Sequence, residues 1–176
     1  VLGVNLFGLI HGVRSFTPRI VESGGGHIVN TASMAGLTSP PGMSPYNVSK
    51  HAIVTLSEAL AVELSMTHPE VGVSVLCPGW VRTRIHEADR NRPSDPAAPI
   101  DDVVAVDAEE QAALDAMRDL VAGLIEGGLD PAAVAAQVVD AVRENRPWVL
   151  THPDWMDMVR SRAERIIAEE PPSPDL

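Results

Sequence analysis

Three short apolar runs, at 27–31, 71–76 and 148–150, alternate with long stretches of helical periodicity, and this alternation restricts the chain to one fold class. The runs are rich in β-branched residues, too short for buried helices, and bounded by Gly24-Gly25-Gly26, Pro78-Gly79 and Pro147. Strands joined by helices pair in parallel, because a parallel crossover has room for a helix and an antiparallel hairpin does not. The expected architecture is α/β, the C-terminal part of a doubly wound parallel sheet of Rossmann type. Three strands are few for that fold, which commonly has about six. The chain also opens on Val1 inside an apolar periodic stretch. Both features suggest the later portion of something longer.

Helical spacing runs over 1–21, carried by Val4, Phe7, Ile10 and Val13 among others, and stops at the glycines. A Gly/Pro/Ser/Met loop occupies 35–45, and the longest helical stretch is 46–67. Polar, acidic sequence with Pro93, Pro96 and Pro99 comes next, so 84–130 reads as an acidic substrate loop or lid region that ends in a helix over 108–126. Asp130-Pro131 is a helix start, with an N-cap residue followed by proline at the first helical position. A helix to 145 and another over 154–169 complete the pattern. Residues 1–170 are expected to form the catalytic portion of a single domain, and 171–176 a disordered tail.

Charge excludes some functions. The 176 residues carry a formal charge of −11, and the acidity is concentrated past residue 83. Such a surface repels phosphate backbones, so nucleic acid is not an expected partner. The apolar opening contains Asn5 and His11 and is too short to cross a bilayer, so neither a signal peptide nor a membrane span is read there. A single cysteine, Cys77, rules out an internal disulfide framework or a thiolate metal cluster and points to a reducing, cytoplasmic compartment. The six histidines are scattered, so no metal site is expected.

The only tyrosine, Tyr46, stands four residues before the only lysine, Lys50. On a helix the two side chains lie one above the other. An ammonium beside a phenol favours the phenolate, which makes the pair a sensible proton donor and acceptor for interconverting a hydroxyl and a carbonyl. A plain surface contact is the bland alternative for so short a pattern. Context weighs against it: Ser33 comes just after the strand at 27–31, at the end where open α/β sheets bind ligands. No Gly-x-Ser-x-Gly elbow supports a serine hydrolase.

Four pieces stand in order: Asn5 in Val4-Asn5-Leu6-Phe7-Gly8, Ser33 after Ile28-Val29-Asn30-Thr31-Ala32, Tyr46-Asn47-Val48-Ser49-Lys50, and Pro78-Gly79-x-x-x-Thr83. In these the chain resembles the short-chain dehydrogenase/reductase family over residues 4–83. The family's glycine-rich pyrophosphate turn is absent, and Gly24-Gly25-Gly26 does not replace it, because it leads from helix into strand. The resemblance implies an oxidoreductase that transfers a hydride between NAD or NADP and a small-molecule alcohol or ketone. It makes Tyr46 the general acid/base, Lys50 its helper and a ribose ligand, Ser33 the holder of the substrate oxygen, and Asn5 the support of a proton-relaying water. It places Pro78, Gly79, Val81 and Thr83 along the nicotinamide. Ser33, Met34, Met43, Trp80, Ile85 and His86 are the candidates for substrate contact. The helix at 46–67 is apolar nearly all round, so it needs a second partner besides the sheet. The resemblance places the family's subunit interface on this helix and on the one at 1–21, so a homodimer or homotetramer is expected. Competing readings are an inactive fragment that only oligomerises through those helices, and a dehydratase or epimerase on the same scaffold.

Overall fold

A computed structural model describes residues 1–87 and 107–173 of the chain. Residues 88–106 of the expected loop or lid region at 84–130, and the last three residues of the expected tail, lie outside the described residues. The described residues group into two compact units, one from Val1–Gly79 with Ala132–Leu176 and one from Trp80–Pro131.

The first unit is built on a parallel sheet in the order β1 (Gly26–Thr31), β2 (Val71–Cys77), β3 (Trp148–Leu150). Gly26 stands opposite Val71 and Thr31 opposite Leu76, while Val75 to Cys77 face Trp148 to Leu150. Strand β2 is therefore central and paired on both sides. All but one of its residues are buried, as a strand covered on both faces requires. Helix α1 (Gly8–Glu22) feeds β1 through Gly24 to Gly26. Gly25 has a φ of 128°, and a Cβ there would lie 2.8 Å from the Glu70 carbonyl oxygen, so only glycine makes this turn.

Helix α2 (Ser44–Thr67) packs on the sheet. Ile53 and Val54 join Ala32, Met34, Val75 and Cys77 in one core cluster, and Leu64 joins Ile28, Val71 and Val73 in another. Between them the Asn30 amide donates to Ser57 Oγ at 3.0 Å, and Ser57 in turn donates to the Ile53 carbonyl. A buried amide left without its partner would cost about 1–3 kcal/mol, so this bond also sets how β1 and α2 align. Helices α4 (Pro131–Arg143) and α5 (Met156–Ile167) flank β3 in sequence, and Pro153–Trp155 forms a short 3₁₀ turn before α5.

The second unit holds α3 (Ala108–Glu126) and a short parallel bridge between Val81 and Leu129. Asp107 caps α3 through the Glu109 and Glu110 amides at 2.9 Å, and the Glu110 carboxylate reaches back to the Asp107 amide. Carboxylates in that first turn also oppose the positive end of the helix dipole. Arg82 pairs with Asp130 at 2.6 Å beside the bridge.

Several expected boundaries moved. Helix α2 starts at Ser44 rather than 46, and the helix expected over 154–169 is the 3₁₀ turn Pro153–Trp155 followed by α5 at Met156–Ile167. The stretch at 1–21 is not one regular helix: Gly3–Phe7 is a π-helical turn that runs into α1. The helix expected to end near 145 stops at Arg143, and Asn145 takes a φ of 50°.

Far from the strand ends that carry Ser33, His27 Nε2 lies 2.7 Å from Ser74 Oγ, and Ser74 donates to the Arg146 carbonyl at 2.6 Å. Ser74 has one proton, committed to a group that only accepts, so His27 donates through Nε2. Burial holds the His27 imidazole below its usual pKa. Burial does the same for His152, partly opposed by Asp154. The unfolded chain therefore binds these protons more readily than the native one. Stability from this source is complete above the ordinary histidine value, near 6.5, and is lost as pH falls through the lowered native values. The melting temperature should fall on acidification from about pH 7 to 5.5, and His27→Gln should flatten that slope. An unchanged slope in the variant would remove His27 from the account.

Candidate active site

The three strands end at one rim. Ser33 lies two residues beyond β1, in extended backbone (φ −173°, ψ 163°), and caps the 3₁₀ turn Met34–Gly36. Its Oγ accepts from the Ala35 amide at 3.2 Å and donates to the Pro78 carbonyl at 3.4 Å. The Met34 amide reaches the same carbonyl at 2.9 Å. The structure thus brings Ser33 and Pro78-Gly79 together.

Helix α2 begins at Ser44 with Pro45 in its first turn, where a missing N–H costs nothing. Tyr46 and Lys50 come next on one face and are both half-buried. Lys50 Nζ lies over the Tyr46 ring, 5.5 Å from its centroid, and donates to the Thr31 carbonyl at 3.1 Å. Burial pulls the Lys50 pKa below its usual value, and a negative Cys77 sulfur would pull the other way. That sulfur is not negative near neutrality. Burial pushes the Cys77 thiol up to about 12, although the Ser33 backbone amide and Lys50 both favour the thiolate. Desolvation therefore governs Lys50, while the Thr31 carbonyl and the Tyr46 ring supply the polar contacts that hold its head group.

Asn5 lies in the π-helical turn, and its amide donates to Ser49 Oγ at 3.4 Å. Ser49 is fully buried and donates to the Tyr46 carbonyl at 2.7 Å. A π turn inserts one residue into the helical repeat and so re-aims the side chains around it. Sequence reasoning missed Ser49, although a serine on a helix otherwise apolar nearly all round is a visible signal. It also missed Thr151 and His152, just past β3: Thr151 Oγ1 accepts from the Gly79 amide at 3.1 Å and lies 2.7 Å from His152 Nδ1.

The remaining candidates have the following local surroundings. Met34 is 1% exposed and part of the core, and Met43 is half-buried just ahead of α2. Trp80, Val81, Thr83, Ile85 and His86 belong to the second unit. There Val81 forms the bridge to Leu129, Ile85 is exposed, and His86 lies 3.9 Å from Glu87, which also pairs with Arg84. Among the described residues no group of three or more His, Cys, Asp or Glu could hold a metal ion, and no helix is long and apolar enough to cross a membrane.

Comparison with known proteins identifies relatives of this arrangement. The family pattern for short chain dehydrogenases matches residues 1–94. The chain is 28% identical over 173 residues to a CLA biosynthesis dehydrogenase/reductase of Lactiplantibacillus plantarum, covering 98% of the chain and 59% of that protein. It is 30% identical over 168 residues to a C alpha-dehydrogenase of a Sphingobium species, covering 95% of the chain and 51% of that protein. Among solved structures, a short chain dehydrogenase/reductase from Burkholderia phymatum in complex with NAD superposes with a TM-score of 0.85 at 39% identity, covering 98% of the chain and 59% of that protein. The chain thus spans little more than half the length of each.

The state of Cys77 is directly measurable. At pH 8 the native chain should resist thiol-specific labelling, because a buried thiol with a pKa of about 12 offers almost no thiolate. In guanidinium one thiol per chain should react at once. Rapid labelling of the native chain would contradict the burial that also governs Lys50.

Proposed function

Because the chain belongs to the short-chain dehydrogenase family, we propose that it carries the proton-transfer half of a nicotinamide-dependent oxidoreductase acting on a small-molecule alcohol or ketone. The observation that carries the reading is Lys50 Nζ, half-buried, tied to the Thr31 carbonyl and poised over the Tyr46 ring. Of the three N–H bonds of that ammonium, one is spent on Thr31. The other two suit the hydroxyls of a ribose. NAD in the Burkholderia phymatum structure supports a nicotinamide cofactor, NAD or NADP, with Lys50, Tyr46, Pro78 and Gly79 as the residues of the first unit that would hold it. When bound, that cofactor supplies the hydride acceptor or donor.

The chain's own residues handle the proton. In alcohol oxidation the Tyr46 phenolate takes the hydroxyl proton, and in ketone reduction the Tyr46 phenol returns it. Lys50 Nζ stands over the Tyr46 ring, 5.5 Å from its centroid. Ser33 Oγ exchanges its long bond to the Pro78 carbonyl for one to the substrate oxygen. Asn5 and Ser49 hold the first turns of α2 from behind and fix where Tyr46 stands.

Tyr46→Phe removes one oxygen and little volume. It should lower kcat by about 10²–10⁴, the usual worth of general acid/base catalysis, and leave cofactor affinity unchanged in a fluorescence titration. Lys50→Met should lower both turnover and cofactor affinity. Retention of roughly a tenth or more of kcat by the Tyr46 variant would exclude it as the acid/base.

Exposed apolar side chains on α2 (Val62, Met66) and on the opening helical stretch (Phe7, Phe16) support assembly with a second copy. Large exposed apolar patches are uncommon on monomers. Sedimentation should give a dimer or tetramer, and Phe16→Glu together with Val62→Glu should give monomers. A wild-type monomer at micromolar concentration would rule assembly out.

A further inference from the structure

We propose that Thr151 is a positioning residue: it holds the Pro78–Gly79 peptide in place and through that peptide sets where the Ser33 hydroxyl stands before it turns from the Pro78 carbonyl to the substrate. The proposal rests on the dehydrogenase reading of this site.

The peptide unit between Pro78 and Gly79 is held at both ends. Its carbonyl oxygen accepts from the Met34 amide at 2.9 Å and from Ser33 Oγ at 3.4 Å. Its N–H donates to Thr151 Oγ1 at 3.1 Å. A trans peptide is planar, so its carbonyl and N–H point in opposite directions. Fixing both ends stops the plane from turning about its flanking bonds. Without the Thr151 contact, the carbonyl that receives the Ser33 hydroxyl is held from one side only.

Thr151 is itself firmly set. It is 6% exposed, directly after β3, and its Oγ1 lies 2.7 Å from His152 Nδ1. The hydroxyl accepts the Gly79 N–H, and donating its own proton to Nδ1 gives it a partner both as acceptor and as donor in the buried site. The His152 ring also backs the peptide: a Cβ at position 79 would lie 2.7 Å from Nδ1. Trp155 packs on that ring in a tilted contact, with centroids 4.8 Å apart. The order of dependence runs from His152 through Thr151 and the Pro78–Gly79 peptide to Ser33.

Amide hydrogen exchange and steady-state kinetics on the 176-residue chain test this with Thr151→Val and Thr151→Ser. Valine keeps the shape and removes the acceptor, and serine restores it. In Thr151→Val, protection at the Gly79 and Met34 amides should fall roughly fivefold to tenfold, the worth of one lost hydrogen bond, with the β2 interior unchanged. In the same variant kcat should fall by a larger factor than cofactor KM rises, and Thr151→Ser should recover both. Thermal melting identifies a variant that no longer folds, and Thr151→Ala then supplies the same comparison. Unchanged protection at Gly79 overturns the proposal. So does protection lost at Gly79 and kept at Met34, and so does an unaltered kcat with both amides loosened. A wild-type chain without any turnover would instead count against the proposed dehydrogenase function, and the amide comparison would still decide the clamp.

Discussion

Everything at the rim depends on β2 being paired in parallel on both of its edges. Parallel neighbours end at the same side of a sheet, so segments 40 to 120 residues apart in the chain are forced to emerge side by side. Ser33, Pro78-Gly79 and Thr151-His152 each leave a strand within two residues of its end. The ladder continues a little past the strands, through the Ala32 amide on the Leu76 carbonyl and the Met34 amide on the Pro78 carbonyl. At these ends the strands no longer supply every partner, and the backbone finds others. Side-chain hydroxyls and one ammonium meet that need: Ser33 at the Pro78 carbonyl, Thr151 at the Gly79 amide, Lys50 at the Thr31 carbonyl.

Local information explains which parts of this were readable in advance. The strands, the long α2 and the stop at Gly24 to Gly26 all arise from periodicity and backbone freedom, properties that a few neighbouring residues determine. Tyr46 and Lys50 were readable for the same reason, since a helix alone puts them on one face. The π-helical turn at Asn5 was not. It adds one residue to a repeat whose apolar positions still look helical, and its partner Ser49 is 44 residues away. Thr151 was harder still, because its role exists only once β3 has found its register against β2. How deeply each apolar substrate candidate is buried was not readable for another reason. Burial depends on tertiary packing, and Met34 is claimed by the core.

Burial gives the polar groups of the site their character. Lys50 and Cys77 are both pushed toward their neutral forms by the loss of water, but from opposite directions. The thiol stays uncharged and inert, while the amine loses some of its hold on the proton and keeps a carbonyl and an aromatic face as company. In this partly desolvated corner between α2 and the strand ends, the Lys50 charge acts on whatever enters beside it with less competition from solvent than at the surface.

The absence of a side chain at position 79 reaches beyond geometry. With the His152 ring where a Cβ would go, any larger residue at 79 requires something smaller at 152. A smaller residue at 152 in turn takes away the partner of Thr151 Oγ1 and the face against which Trp155 rests. Single-step mutational paths away from Gly79 are therefore closed from both directions. Among divergent descendants of this chain, positions 79 and 152 should change as a pair or stay as they are, so a lineage could exchange its pocket residues freely while this junction stayed fixed.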